Sequence, residues 1–325
     1  MRADPFSIHH WSIWCGLTAL HHLGSIELSY TTKPAPAGSG LWLDVEDRDT
    51  REQKTIWVDI SDRAPADSER RRAADSSWVR NASEPVGRPL GFVAPMRSGF
   101  ESSRRYLASA TIAAVRSLRP NDFRRSISAL ALTPFALPLS EFESRPGGAP
   151  RILFQTGAWD PQLGSDPTDR HQINMARATL IRRLRAEYGE RFTGGFRADP
   201  YAVETYPDLL ATGPTDRLEY LHLMKQNAIV VSSTGLHGSI PWKLAEYLAA
   251  SRAIVSEPIA NRVPCSLTGV IEFFSSPDDC IETIEALLAD SSMCEARQQA
   301  AGALWRKEVR PDRLLLARLA EEFDH

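Results

Sequence analysis

The sequence predicts an α/β protein built from two Rossmann-like domains, and three observations carry that expectation. The chain has 325 residues, enough for two cores of ordinary size. A proline-dense break runs from Pro120 to Pro150 and includes Pro134, Pro138, Pro146, Gly147 and Gly148, which disfavours any long regular element there. Beyond the break, short β-rich runs alternate with helical periods, the pattern of βαβ units around a parallel sheet. The stretch Arg145 to Pro150 reads as a linker, so the expected domains are 1–148 and 149–325, with the C-terminal helix free to pack back on the first domain.

Ahead of the break, Ile13 to His22 has helical spacing, and Ile26 to Tyr30 reads as a strand after Gly24. Thr55 to Ile60, Ser76 to Asn81 and Arg88 to Phe92 read as further strands, and Ser102 to Leu118 as a helix. Together they predict a parallel sheet covered on both faces. After the break, Arg151 to Gln155 reads as a buried strand. Ile173, Ala176, Leu180, Ile181, Leu184 and Tyr188 then recur with helical period, with Arg177, Arg182, Arg183 and Arg185 projecting mostly elsewhere, and Gly189 stops that helix. Arg191 to Phe196, Ala228 to Ser232, Ala253 to Ser256 and Val270 to Phe274 read as strands. Helices are expected over Asp216 to Lys225 and Ile240 to Ala250, and two or three more close the chain.

Composition narrows the function. The net charge is −3, so no bulk electrostatic case exists for nucleic acid, and the short run Glu69 to Arg72 reads as a solvated helix face. Cys15, Cys265, Cys280 and Cys294 form no CxxC pair, which argues against structural zinc and a disulfide framework and fits reduced thiols in the cytoplasm. Met1 to Leu20 lacks the apolar run of a secretory signal, and nowhere do about 18 apolar residues occur in succession, as a spanning helix needs. Peripheral contact with the inner membrane face is left open.

The segment that carries chemistry is Ser232 to Glu257, SSTGLHGSIPWKLAEYLAASRAIVSE. A strand ends near Ser232 and a Gly/Ser-rich loop leads into a helix, with Ser239 placed to cap it and Pro241 in its first turn. Orphan amides and the positive end of that helix favour a diphosphate, and Gly235 and Gly238 let the backbone approach it. Ile240, Leu244 and Leu248 form a stripe toward the sheet. Lys243 and Glu246 share another face near the helix start, where a cation suits a phosphate and a carboxylate suits the two hydroxyls of a ribose. The same pair also reads as an ordinary exposed i, i+3 pair.

The stretch from Gly238 to Ala249, followed by Arg252-Ala253-Ile254-Val255, resembles the donor-site signature of bacterial group 1 glycosyltransferases, whose motif runs roughly S-x-P-x-K-x-x-E-Y-x-A. The resemblance covers Arg151 to the C-terminus well and the first half more thinly, through GLTALHHLGSIELSY, VDISD and RPLGF. It implies a GT-B-like fold, two Rossmann-like domains facing each other across a cleft, with the acceptor on the first and a nucleotide sugar on the second. It implies that Glu246 holds the ribose, that Lys243 lies by the diphosphate, and that Gly235, Gly238 and Ser239 form the phosphate-side loop. His237 is placed either to touch phosphate or donor sugar or to be a plain loop residue. Many relatives carry a second glutamate where Gly238 stands here, and often an arginine near Gly157.

Thr156 and Gly157 mark the second contact region, at the exit of the first strand after the break. For Lys225 two readings stand side by side: a replacement for the arginine missing near Gly157, or a cation complementing a helix C-terminus. On the acceptor side the polar candidates are His9, His10, Asp59 and Asp62; a base for an inverting reaction would come from there, His10 and Asp62 first, although a structural role is open for each. The expected activity is sugar transfer from a nucleotide-diphosphate donor to a hydroxyl of a glycan, lipid-linked or small-molecule acceptor, as in polysaccharide biosynthesis. No essential metal is expected, because the acids form no cluster beside the phosphate loop, and the resemblance favours retention. Rival readings are a non-catalytic nucleotide-binding protein on the same fold and a nucleotide-sugar epimerase. A dinucleotide-binding dehydrogenase is disfavoured, since no GxGxxG follows a predicted strand.

Overall fold

In the computed structural model, which describes residues 10–29, 41–62, 68–82, 87–99, 136–164 and 166–323, the chain divides into two units: 1–139 with 261–264 and 307–325, and 140–260 with 265–306. The division thus falls at 139/140 rather than 148/149, and the last helix belongs to the first unit.

The first unit is built on helix α1 (Trp11–His22), whose Ile13, Trp14, Leu17 and Leu20 are buried. Its sheet has the order β1-β2-β3-β4 (Leu41–Glu46, Gln53–Asp59, Ser76–Val79, Arg88–Pro89). The parallel sheet expected here is corrected to a mixed one. β1 and β2 pair antiparallel, because a turn of a few residues closed by Asp47 joins them and leaves no room for a crossover. β2, β3 and β4 are parallel. The strand expected over Ile26 to Tyr30 is not formed where described: the chain curls back on α1, with the Leu28 amide 3.3 Å from His21 Nδ1. The strand expected over Arg88 to Phe92 shrinks to two residues, as Pro89 has no N–H to extend the ladder. The helix expected over Ser102 to Leu118 lies outside the described residues. Among the described residues, this part of the chain also holds short helices Ser68–Arg72 (α2) and Leu139–Phe142 (α3) and the strand pair Met96–Arg97 (β5) with Leu137–Pro138 (β6).

The second unit holds a five-stranded parallel sheet: β7 (Ala149–Thr156), β8 (Phe192–Phe196), β9 (Asn227–Ser232), β10 (Ala253–Ser256) and β11 (Ile271–Phe273). Its order is β11-β10-β9-β7-β8. Counted within the unit that is 2-1-3-4-5, a doubly wound, Rossmann-like arrangement whose order reverses between β7 and β9. Ile152, Phe154, Phe196, Ile229, Val231 and Val255 share a core with the apolar stripe of α4 (Pro167–Tyr188) and with α8 (Pro277–Ala289). Because strand side chains alternate, Leu153, Val230 and Ile254 face the other side. Tyr220 of α6 (Arg217–Gln226) and Tyr247 of α7 (Trp242–Ala249) meet there, their hydroxyls 3.1 Å apart, and Tyr247 donates to Val231 O at 3.3 Å. A short helix α5 (Pro200–Thr205) follows β8. Helices α9 (Ser291–Leu304) and α10 (Pro311–Phe323) end the chain, and α10 packs on α1 within the first unit.

The stretch Arg145 to Pro150 is no loose linker. Arg252 donates to the carbonyls of Arg145 and Gly147, and the Gly147 amide donates to Gln298 Oε1 at 2.7 Å. The segment is therefore laced to the bottom edge of the second sheet. The arginines of α4 also divide: Arg182 and Arg183 are exposed, while Arg177 is buried and Arg185 donates to the carbonyls of Asp208, Gly194 and Leu210. These four of the five arginines of α4 read alike in sequence, and only the loops folded over the helix tell them apart.

Candidate functional site

The loops after β7 and β9 leave the sheet side by side at the switch point, where open α/β sheets hold ligands. Arg177 stitches the two loops together. Its Nε donates to Ser233 Oγ at 2.9 Å, Nη1 to Gly157 O at 2.8 Å and Nη2 to Thr234 O at 2.8 Å. Burial lowers its pKa to about 10, against the pull of Glu257, so it stays charged at neutral pH. Glu257 in turn accepts from the Thr234 amide at 2.7 Å and its hydroxyl at 2.5 Å. Thr156, at the end of β7, is buried, and the position of a Gly157 side chain opens onto empty space.

The loop from Gly235 to Ser239 closes on itself. The Gly235 amide donates to Ser239 O at 3.0 Å and the Ser239 amide to Leu236 O at 3.1 Å. A Cβ on Gly235 would meet Ser239 Oγ at 2.3 Å and Ser239 O at 3.0 Å, so any larger residue forces Ser239 to move. Gly238 has φ +66, a conformation glycine adopts without strain. His237 takes the same left-handed region at φ 57 and is held there by its amide, which donates to Asp169 Oδ2 at 2.8 Å. Its Nδ1 lies 3.6 Å from carboxylate oxygens of both Asp166 and Asp169. The expected cap is corrected. Pro241, not Ser239, is the N-cap of α7, and no side chain caps the helix. Ser239 is instead drawn into the turn it closes with Gly235.

Glu246 and Lys243 are not an exposed pair. Glu246 is 1% exposed and its Oε1 lies 2.8 Å from an Arg217 nitrogen. Its other oxygen is buried with no hydrogen-bond partner among the described residues. Such an atom is costly to leave dry and points to a missing donor. Lys243 is half-buried, with Nζ 3.7 Å from the centre of the Tyr220 ring. Loss of water around its ammonium drives its pKa down to about 7; Glu246 opposes that fall, and Arg217, Arg197 and Arg177 add to it. A carboxylate with a spare oxygen therefore stands beside Arg217 and Lys243, and Arg197 and Arg177 act on the same lysine through space.

The remaining sequence candidates fall elsewhere. Lys225 ends α6 beside the first residue of β9, at the opposite edge of the sheet from Thr156 and Ser232, and desolvation lowers its pKa. His10 is the buried N-cap residue of α1, and Asp62 accepts from buried Arg80 at 2.6 Å; both belong to the first unit. Asp59 accepts from the Ser61 amide, and His9 lies outside the described residues. Among the described residues no group of three or more His, Cys, Asp or Glu side chains is arranged to hold a metal, and no helix is long and apolar enough to cross a membrane.

Sequence reasoning missed Arg177, Arg197 and Arg217. For Arg217 a signal existed. A cation in the first turn of a helix opposes the helix dipole, so its presence just after the cap Asp216 implies a tertiary partner.

No protein-family model matches the chain and no curated protein matches it. Solved structures similar to it include UDP-GlcNAc 2-epimerase from Neisseria meningitidis bound to UDP-GlcNAc, at 13% identity and TM-score 0.38 over 76% of this chain and 70% of that one. The C-terminal domain of the group 1 glycosyltransferase LpcC from Francisella tularensis is similar at 14% identity and TM-score 0.30, over 54% of this chain and 88% of that one. MnaA from S. aureus with UDP is similar at 11% identity and TM-score 0.36, over 57% of this chain; this chain spans 48% of its length.

Proposed function

We propose that this protein is an enzyme acting on a nucleoside diphosphate sugar, and that it transfers the sugar to a hydroxyl of a glycan, lipid-linked or small-molecule acceptor. The observation that carries this reading is the buried, unpartnered oxygen of Glu246 beside Lys243 at the switch point. A ribose supplies the two hydroxyl donors that such a carboxylate lacks, and a diphosphate one turn away meets Lys243 and the N-terminus of α7. Gly238, Ser239 and His237 shape the loop beside it; Thr156 and Gly157 line the neighbouring strand exit.

In the transfer, the acceptor hydroxyl oxygen bonds to the anomeric carbon, and the bond from that carbon to the diphosphate breaks with its electron pair leaving on phosphate. The acceptor proton passes to a base or to the departing phosphate. Lys243, poised near neutrality by burial, gains its proton's full benefit as that negative charge develops, so the contribution of this unit is electrostatic.

The test is incubation with a panel of nucleotide sugars and acceptors, following nucleotide release and a glycosylated product. Acceptor-dependent product supports transfer. A change of sugar configuration with no acceptor present assigns an epimerase instead, nucleotide binding without turnover a binding protein, and no binding of any nucleotide removes the reading altogether.

A further inference from the structure

The residue at the exit of β7 is Gly157, which brings no cation to the crevice, and Lys225 stands at the opposite edge of the sheet. The neighbouring strand supplies one. β7 and β8 are parallel with Thr156 paired to Phe196, so Arg197 follows β8 directly alongside Gly157. The Arg197 amide donates to Thr156 O at 2.7 Å, which fixes its backbone against the rim of the crevice.

Alternation decides where its side chain goes. Phe196 is fully buried in the core shared with α4, so the next residue faces the side of α6 and α7. That is the side of Lys243, Tyr220 and the Glu246–Arg217 pair. Arg197 acts on Lys243 through space, consistent with that placement. The other cations are already engaged: Arg177 on three oxygens of the two loops, Arg217 on Glu246. Arg197 is exposed, and among the described residues no carboxylate pairs with its guanidinium.

Building on the nucleotide-sugar reading above, we propose that Arg197 is the diphosphate-binding arginine of this protein, presented from β8 in place of one after β7. A guanidinium beside the open space at Gly157 reaches a diphosphate seated at α7 with two parallel N–H donors, the geometry that distinguishes arginine from a point charge.

Titration calorimetry on the full chain with UDP, GDP, ADP and dTDP, each beside its parent nucleoside, tests this. With the diphosphate that binds best, Arg197→Ala weakens binding about tenfold or more while affinity for the nucleoside is unchanged. Arg197→Lys recovers part of the loss, as a charge without the fork. Equal weakening of nucleoside and diphosphate overturns the proposal, because Arg197 would then shape the loop rather than bind phosphate. Unchanged diphosphate affinity in Arg197→Ala overturns it while leaving the nucleotide reading intact. Failure of the unaltered protein to bind any of the four removes both.

Discussion

Arg252 and Glu246 are each 1% exposed and lie in the same unit, at opposite edges of one sheet, yet their surroundings differ in kind. At the bottom edge, Arg252 Nε donates to Ala250 O at 2.8 Å, Nη1 to Lys225 O at 2.9 Å, and further bonds reach Gly147 and Arg145 carbonyls. Every partner is backbone, and the charge knots the entry segment of β7 to the rest of the unit. At the top edge, Glu246 has one oxygen on Arg217 and one on nothing, and Lys243 beside it holds its proton loosely. A buried charge with all its partners inside the fold has a structural role to fill, whereas one left short of donors marks Glu246 as the binding group proposed above.

Four measurements would break or sharpen that contrast. Arg252→Met should show the largest effect, a loss of about 3–5 kcal/mol of unfolding free energy in urea, because several buried carbonyls lose their donor together. The folded fraction should bind nucleotide as before, and an affinity loss matching the stability loss would erase the distinction between the two edges. Glu246→Gln should do the reverse. Calorimetry should show nucleoside diphosphate affinity down by about 10- to 100-fold, equivalent to about 1.5–3 kcal/mol for bonds to a charged acceptor, with a smaller change in the denaturation midpoint than Arg252→Met gives.

The third concerns pH. Burial lowers the Lys243 pKa to about 7 in the folded chain, from an ordinary lysine value of 10.5, so the unfolded chain binds more protons in that window. The stability Lys243 contributes is therefore greatest at high pH and falls as pH drops from about 10.5 toward 7. An arriving diphosphate raises the Lys243 pKa, so binding should take up a proton near pH 7–8 and weaken as pH rises, by less than tenfold per unit. Heats measured in buffers of different ionisation enthalpy report that uptake, and Lys243→Met should abolish it. The smallest effect is expected for Asp169→Asn. It weakens the acceptor of the His237 amide and should cost about 1 kcal/mol or less, with a few-fold loss of nucleotide affinity. A loss rivalling that of Glu246→Gln would mean that the loop geometry, not the carboxylate, governs binding.

Legibility in the sequence followed how local the cause was. β9, α7 and β10 were readable from Ser232 to Glu257 because a buried parallel strand, a Gly/Ser loop and an apolar stripe are written in consecutive residues. The antiparallel β1 and the mixed sheet of the first unit were not read, because pairing direction depends on what a strand meets. The Ser239 cap was misplaced by two positions, since serine before a proline reads the same whether its oxygen caps a helix or its backbone closes a turn.

What the sequence by itself determined is the alternation of strands and helices, the glycines of the loop between β9 and α7, and the presence of Lys243 and Glu246 one turn apart on one helix. Only the tertiary structure decided which charges are spent and which are spare. Arg177, Arg197 and Arg217 lie on three separate elements and converge on one crevice, and desolvation there, a property of packing and not of any residue, turns a lysine near neutrality and strands a carboxylate oxygen without a donor.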